Sequence, residues 1–114
     1  MDEDEEAVAK IRELNDEFRR SLNRKLGIVV MTRGVADLSD LYRIAAVQKV
    51  RLFEDFNEAN DPHGEHDFGS FLVGEEKLYF KIDYYDRDYS LGSDDPTDLS
   101  RTKRMLTVML ADEY

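Results

Sequence analysis

Apolar residues recur at helical spacing early in the chain. Val8, Ile11, Leu14, Phe18 and Leu22 define one face, with Arg12, Glu13, Asp16, Arg19 and Arg20 around the other. This pattern predicts an amphipathic helix. Acid at its start and Arg24-Lys25 at its end complement the helix dipole, and Gly27 is a natural stop. Within it, Asp2 to Glu6 is an acidic run, and residues 1–6 are expected to fray. Ile28-Val29-Val30-Met31-Thr32 is rich in β-branched residues between two glycines and reads as a strand buried on both faces. Arg33-Gly34 then turns the chain. Asp37 or Ser39 can cap a second helix carrying Leu41, Ile44, Ala45, Val47, Leu52, Phe53 and Phe56. Its wide apolar arc predicts that it is the more buried of the two helices. It should end near Asn57 to Asn60, because Asn60-Asp61-Pro62 is a turn signal.

Periodicity changes from there. Phe68 to Val73 and Lys77 to Tyr85 flank Gly74-Glu75-Glu76 and predict a β-hairpin. The second strand alternates cleanly: Leu78, Phe80, Ile82 and Tyr84 face the core, with Tyr79, Lys81, Asp83 and Tyr85 on the other side. Arg87 to Pro96 is a polar loop. Thr97 or Asp98 then caps a last helix that packs Leu99, Leu106, Met109 and Leu110 inward. The expected order is helix, strand, helix, strand, strand, helix. That is an α+β fold in one domain, residues 1–114, with helices packed on a small, mainly antiparallel sheet.

Composition narrows the chemistry. Without cysteine, disulfides, thiolate metal sites and a cysteine nucleophile are all excluded. No apolar run approaches a membrane span, and the acidic start is unlike a signal peptide, so a soluble, cytoplasmic protein is expected. The net charge of −10 would repel a phosphate backbone, which argues against direct nucleic-acid binding and leaves basic proteins or a metal ion as partners.

Three stretches carry candidate chemistry. His63-Gly64-Glu65-His66-Asp67 holds both histidines, and Asp61 or Asp83 could complete a site for a divalent transition metal. The spacing is not that of a metalloprotease HExxH, and an HxE deaminase site would need a cysteine pair that is absent. A structural reading competes: Asp and Asn side chains bond to nearby amides, and Gly64 and Gly69 permit backbone angles that other residues avoid. No serine has the company of a hydrolase nucleophile, so an enzyme is not the favoured reading. Asp86-Arg87-Asp88-Tyr89-Ser90-Leu91-Gly92 fails as a calcium loop because Leu91 stands where the turn glycine belongs. Lastly, carboxylates crowd the span from Glu58 to Asp98, opposed there only by Lys77, Lys81 and Arg87 and interleaved with Tyr79, Tyr84, Tyr85 and Tyr89. Such a surface offers rigid aromatic contact area and steers basic partners.

The pieces Val29-Val30-Met31-Thr32-Arg33-Gly34-Val35, Asn60-Asp61-Pro62-His63-Gly64-Glu65-His66-Asp67-Phe68-Gly69, Lys81-Ile82-Asp83-Tyr84-Tyr85-Asp86 and Leu106-Thr107-Val108-Met109-Leu110-Ala111 carry a resemblance. The chain resembles a family of small, acidic, uncharacterised bacterial proteins, catalogued as a domain of unknown function and often found on mobile elements. The resemblance supplies no activity and no catalytic residue. Its mobile-element setting implies, by analogy, a role against host defence of the anti-restriction or anti-CRISPR type.

The leading expectation is therefore a non-enzymatic interaction protein without a cofactor. It would bind a basic protein, such as one that grips nucleic acid, through Glu65, Asp67, Asp83, Asp86, Asp88, Tyr79 and Tyr85, in the manner of a nucleic-acid mimic. The alternative is a metal-dependent enzyme or metal-binding protein using His63, His66, Asp67 and Asp83. A homodimer with the histidine loop at its contact is a third.

Overall fold

The computed structural model describes residues 2–114. Helix α1 (Glu3–Ser21) opens on Asp2, whose Oδ1 accepts the Glu5 N–H at 2.8 Å, so the acidic run expected to fray is helical from Glu3. Four acids in that first turn face the positive end of the dipole. The helix ends earlier than expected. Leu22 adopts a left-handed conformation (φ 55°) and donates its N–H to Phe18 O, and Gly27 belongs to the following strand instead.

Strand β1 (Gly27–Met31), the short helix α2 (Arg33–Ala36) and helix α3 (Asp40–Leu52) follow. Ser39 caps α3, its Oγ accepting the Tyr42 N–H. Strands β2 (Phe68–Val73) and β3 (Glu76–Tyr85) form the predicted hairpin, with Gly74 at φ +59° as the first of two turn residues. The last element departs from the helix expected over this stretch. Lys103–Leu110 is strand β4, which pairs with β3 antiparallel and with β1 parallel. Leu106 and Leu110 satisfy a helical and an alternating pattern equally, but only the alternating one also turns Arg104 and Val108 inward. Thr97 and Asp98 cap no helix: Asp95 and Asp98 accept from Thr97 N–H and Ser100 N–H to close successive turns.

The sheet order is β1-β4-β3-β2, and α1, α2 and α3 lie on one face. That face buries Leu78, Phe80, Ile82, Leu106 and Val108 against Phe18, Val35, Ala46, Val50 and Phe53. The α+β class stands, with a mixed sheet of four strands. Two expectations of burial do not hold. β1 is an edge strand and half exposed. α3 is the less buried helix: only Ala46 and Val50 are buried on it, against five residues of α1, and it stops at Leu52, ahead of the expected Asn57.

Candidate functional site

The motif between α3 and β2 is built from local side-chain bonds. Asn57 Oδ1 accepts from the N–H groups of Ala59 and Asn60, at 2.8 and 3.1 Å. Asp61 Oδ1 accepts from those of Glu65 and His66, both at 3.1 Å. Gly64 sits at φ +73°, where a side chain would strain the backbone. Gly69 is needed for a different reason from the one expected. It lies in β2, and an added Cβ would stand 2.5 Å from Phe80 Cε1 and 2.6 Å from Phe53 Cε1.

His66 is tied to the helix layer. Its ring stacks on Phe56 (3.8 Å between centroids, 3° between planes) and its Nδ1 lies 2.8 Å from Asp16 Oδ1. The same Asp16 oxygen accepts from Arg19 Nη2 at 2.9 Å. Arg19 Nη1 donates to Val50 O at 3.0 Å and Phe53 O at 2.6 Å, closing the C-terminus of α3. Arg19 falls on the polar side of the expected helix pattern, yet it is fully buried. His63 points elsewhere, into an open depression of about 360 Å³ shared with Asp4, Glu5, Val8 and Arg12.

Beside this loop is a polar network that the sequence patterns did not disclose. Tyr84 OH donates to Glu65 Oε1 at 2.6 Å and accepts from Asn15 Nδ2 at 2.8 Å. Asn15 Oδ1 accepts from Arg104 Nε at 2.6 Å. Burial, and next the bond to the Glu65 carboxylate, hold the Tyr84 phenol far above its ordinary value. It is a structural hydrogen-bond donor, not an acid. The one signal available was polar Asn15 lying between Leu14 and Phe18 on the inward face.

The residues expected to bind a partner divide. Tyr79, Asp83 and Tyr85 share the sheet face that carries no helix. Glu65 is taken by Tyr84, on the helix side. Asp86 accepts from Ser90 N–H and Leu91 N–H within its own loop, and Asp88 accepts from Ser90 Oγ at 2.7 Å. Asp67 comes close to Asp83 after all: both line a groove of about 340 Å³ with Phe68, Lys81 and Tyr114. Lys81 Nζ lies 3.1 Å from Asp83 Oδ2, whereas no cation pairs with Asp67 among the described residues. Burial first, then the charge of Glu65, raise the Asp67 carboxyl above the ordinary aspartate range. Tyr114 packs edge-on against Phe68 and Tyr79 at this groove, and those two rings are tilted to each other, with centroids 5.1 to 5.7 Å apart.

The metal set is not assembled. His66 sits under α1 while Asp83 is on the opposite face of the sheet, and no group of three His, Asp or Glu side chains among the described residues is placed to hold an ion. No described helix is long and apolar enough to cross a membrane.

The model of one protein family, described as a protein of unknown function (DUF3768), matches residues 31–113. No curated protein and no solved structure matches the chain.

Proposed function

The chain belongs to the DUF3768 family, whose function is unknown, and we propose that it is a non-enzymatic interaction protein whose helix-free sheet face receives a basic protein segment. The observation that carries this reading is Asp67. A half-buried carboxylate without a counter-ion is costly, and burial and the charge of Glu65 both push its proton affinity up. A lysine or arginine side chain entering the groove between Asp67 and Asp83 would relieve it. Phe68, Tyr79 and Tyr114 would supply flat contact area beside it.

Long-range charge favours the same class of partner. The first turn of α1 borders His63, Glu65 bonds Tyr84, and Ser93 N–H donates to Tyr84 O. Carboxylates thus flank the loop on both sides, Asp4 and Glu5 beside His63 and Glu65 at Tyr84, with Arg12 between them. Lys77, Lys81 and Lys103 interrupt the acids on the open sheet face itself. Local pairing in the groove thus supports a basic peptide better than wholesale imitation of a phosphate backbone.

Titration with short lysine- and arginine-containing peptides, followed by amide chemical shifts, tests the reading. Shifts should centre on Asp67, Phe68 and Asp83, weaken with salt, and vanish in Asp83→Lys. Equal weakening by reversal of the remote, exposed Glu13 would show bulk charge attraction and sink the site.

A further inference from the structure

Two segments whose sequence demands burial are left partly open. β1 carries four consecutive apolar side chains yet stands at the sheet edge. α3 leaves Leu41, Ile44 and Leu52 at 79%, 61% and 77% exposure, along one stripe of the helix. A groove of about 270 Å³, lined by Met31, Arg43, Ile44, Val47, Gln48 and Arg51, joins them.

The backbone of β1 specifies what fits. Arg104 N–H donates to Leu26 O at 2.9 Å and Thr32 N–H to Val108 O at 3.0 Å. In a parallel ladder this turns Gly27, Val29 and Met31 outward, and nothing in the described chain bonds their N–H and C=O groups. The opposite edge is blunted, since Lys49 Nζ donates to Leu72 O of β2 at 2.7 Å. β1 has no lysine, proline or bulge to do the same.

We propose that a second copy of this chain occupies the flank, with β1 pairing antiparallel to its equivalent about a two-fold axis at Val29. Gly27 then faces the partner's Met31, and Val29 the partner's Val29, so the three outward residues of each copy satisfy each other. The axis stands perpendicular to the sheet. Both helix layers therefore lie on one side, and Leu22 and Arg24, which lie beside Gly27, face the other copy's groove beside Met31. On the open side Ile28 and Val30 form a continuous apolar strip with their equivalents. On this flank Arg43 is paired with Asp40 and Arg33 with Asp37, while Arg51 donates to Arg20 O and has no acidic partner among the described residues. Area agrees as well. The chain exposes 7039 Å², about 600 Å² more than is usual for a monomer of 13.3 kDa, and a stable interface takes about 800 Å² from each partner. The seam follows β1, away from the histidine loop.

Light scattering across the micromolar range should give twice the 13.3 kDa chain mass. Ile44→Glu and Ile28→Lys, both at exposed positions, should each halve it while leaving the circular dichroism of the fold unchanged. The natural chain has no cysteine, so register can be read by oxidation. Ile28→Cys mixed with Val30→Cys should cross-link, the two positions facing each other with Cα atoms about 4.5 Å apart. A wild type that stays monomeric throughout would overturn the proposal and leave the edge to a foreign strand. A dimer that survives both Ile44→Glu and Ile28→Lys, or an absent mixed cross-link, overturns the seam.

Discussion

Asn15 Oδ1 and Arg104 Nε meet at 2.6 Å with both residues fully buried, joining α1 to the second strand of the sheet across 89 positions of sequence. The pair is embedded in further bonds: Arg104 Nη2 donates to Pro96 O at 2.8 Å, and the guanidinium lies 5.3 Å from the Tyr84 ring centroid. Arg104 Nη1 finds no acceptor, so the network is under-supplied with oxygen atoms. Asn15→Ala would remove one more, and would take from the Tyr84 hydroxyl the amide it accepts from while leaving its bond to Glu65. It should cost about 2–3 kcal/mol in urea unfolding. In a double-mutant cycle with Arg104→Met the losses should fall well short of additive, since the second change removes the donor that the first left unpaired.

Arg19 makes a parallel case on the other side of α1. It neutralises Asp16, binds the carbonyls of Val50 in α3 and of Phe53 just beyond it, and lies over Phe56 at 5.3 Å. Arg19→Lys keeps the charge but loses the fork that reaches both carbonyls and carboxylate together. A loss of about 2 kcal/mol is expected for Lys and about 3–5 kcal/mol for Met. Equal stability of the lysine variant would show that the charge alone matters.

These buried polar residues explain what the sequence could disclose. The hairpin was legible because β3 alternates without exception from Leu78 to Tyr84 and a glycine marks its turn. β4 was not, since a strand apolar on both faces has no clean period: Met109 is buried on the side opposite Val108. Arg19 and Arg104 escaped because charge is read as exposure, and only three-dimensional context supplies their acceptors. The motif around Asp61 was visible as a constrained loop. Which of its side chains stay local and which, like Asp67, open onto a groove depends on the crossing of β2 behind it.

Asp67 gives the chain a pH dependence with a defined sign. Its folded-state pKa lies above the ordinary value of 3.8, so between the two the folded chain holds the extra proton. Stability from this group therefore falls as pH rises through that window. Asp67→Asn should raise the Tm above the window, give no gain below it, and flatten the profile between. In binding the order reverses: a cationic peptide should hold more tightly as Asp67 ionises, and Asp67→Asn should abolish that rise. An unchanged pH profile of peptide affinity in the variant would remove Asp67 from the site.

Gly69→Ala tests whether the aromatic stack transmits packing to the histidine. The new Cβ would press on Phe53 and Phe80 at 2.6 and 2.5 Å. Phe53 packs edge-on against Phe56 at 4.9 Å, and Phe56 lies flat under His66 at 3.8 Å. Neither ring has space to yield freely, because Phe80 is fully buried and Phe53 nearly so. The substitution should cost about 1–3 kcal/mol through overpacking. The displacement should also reach His66, whose ring resonances should move although the ring does not touch the mutated position. Leu72→Ala is the control, an exposed position on the same strand at 55%; it should leave both the stability and the His66 signals in place. Destabilisation by Gly69→Ala with static His66 signals would mean that the β2 backbone gives way first and the stack remains intact.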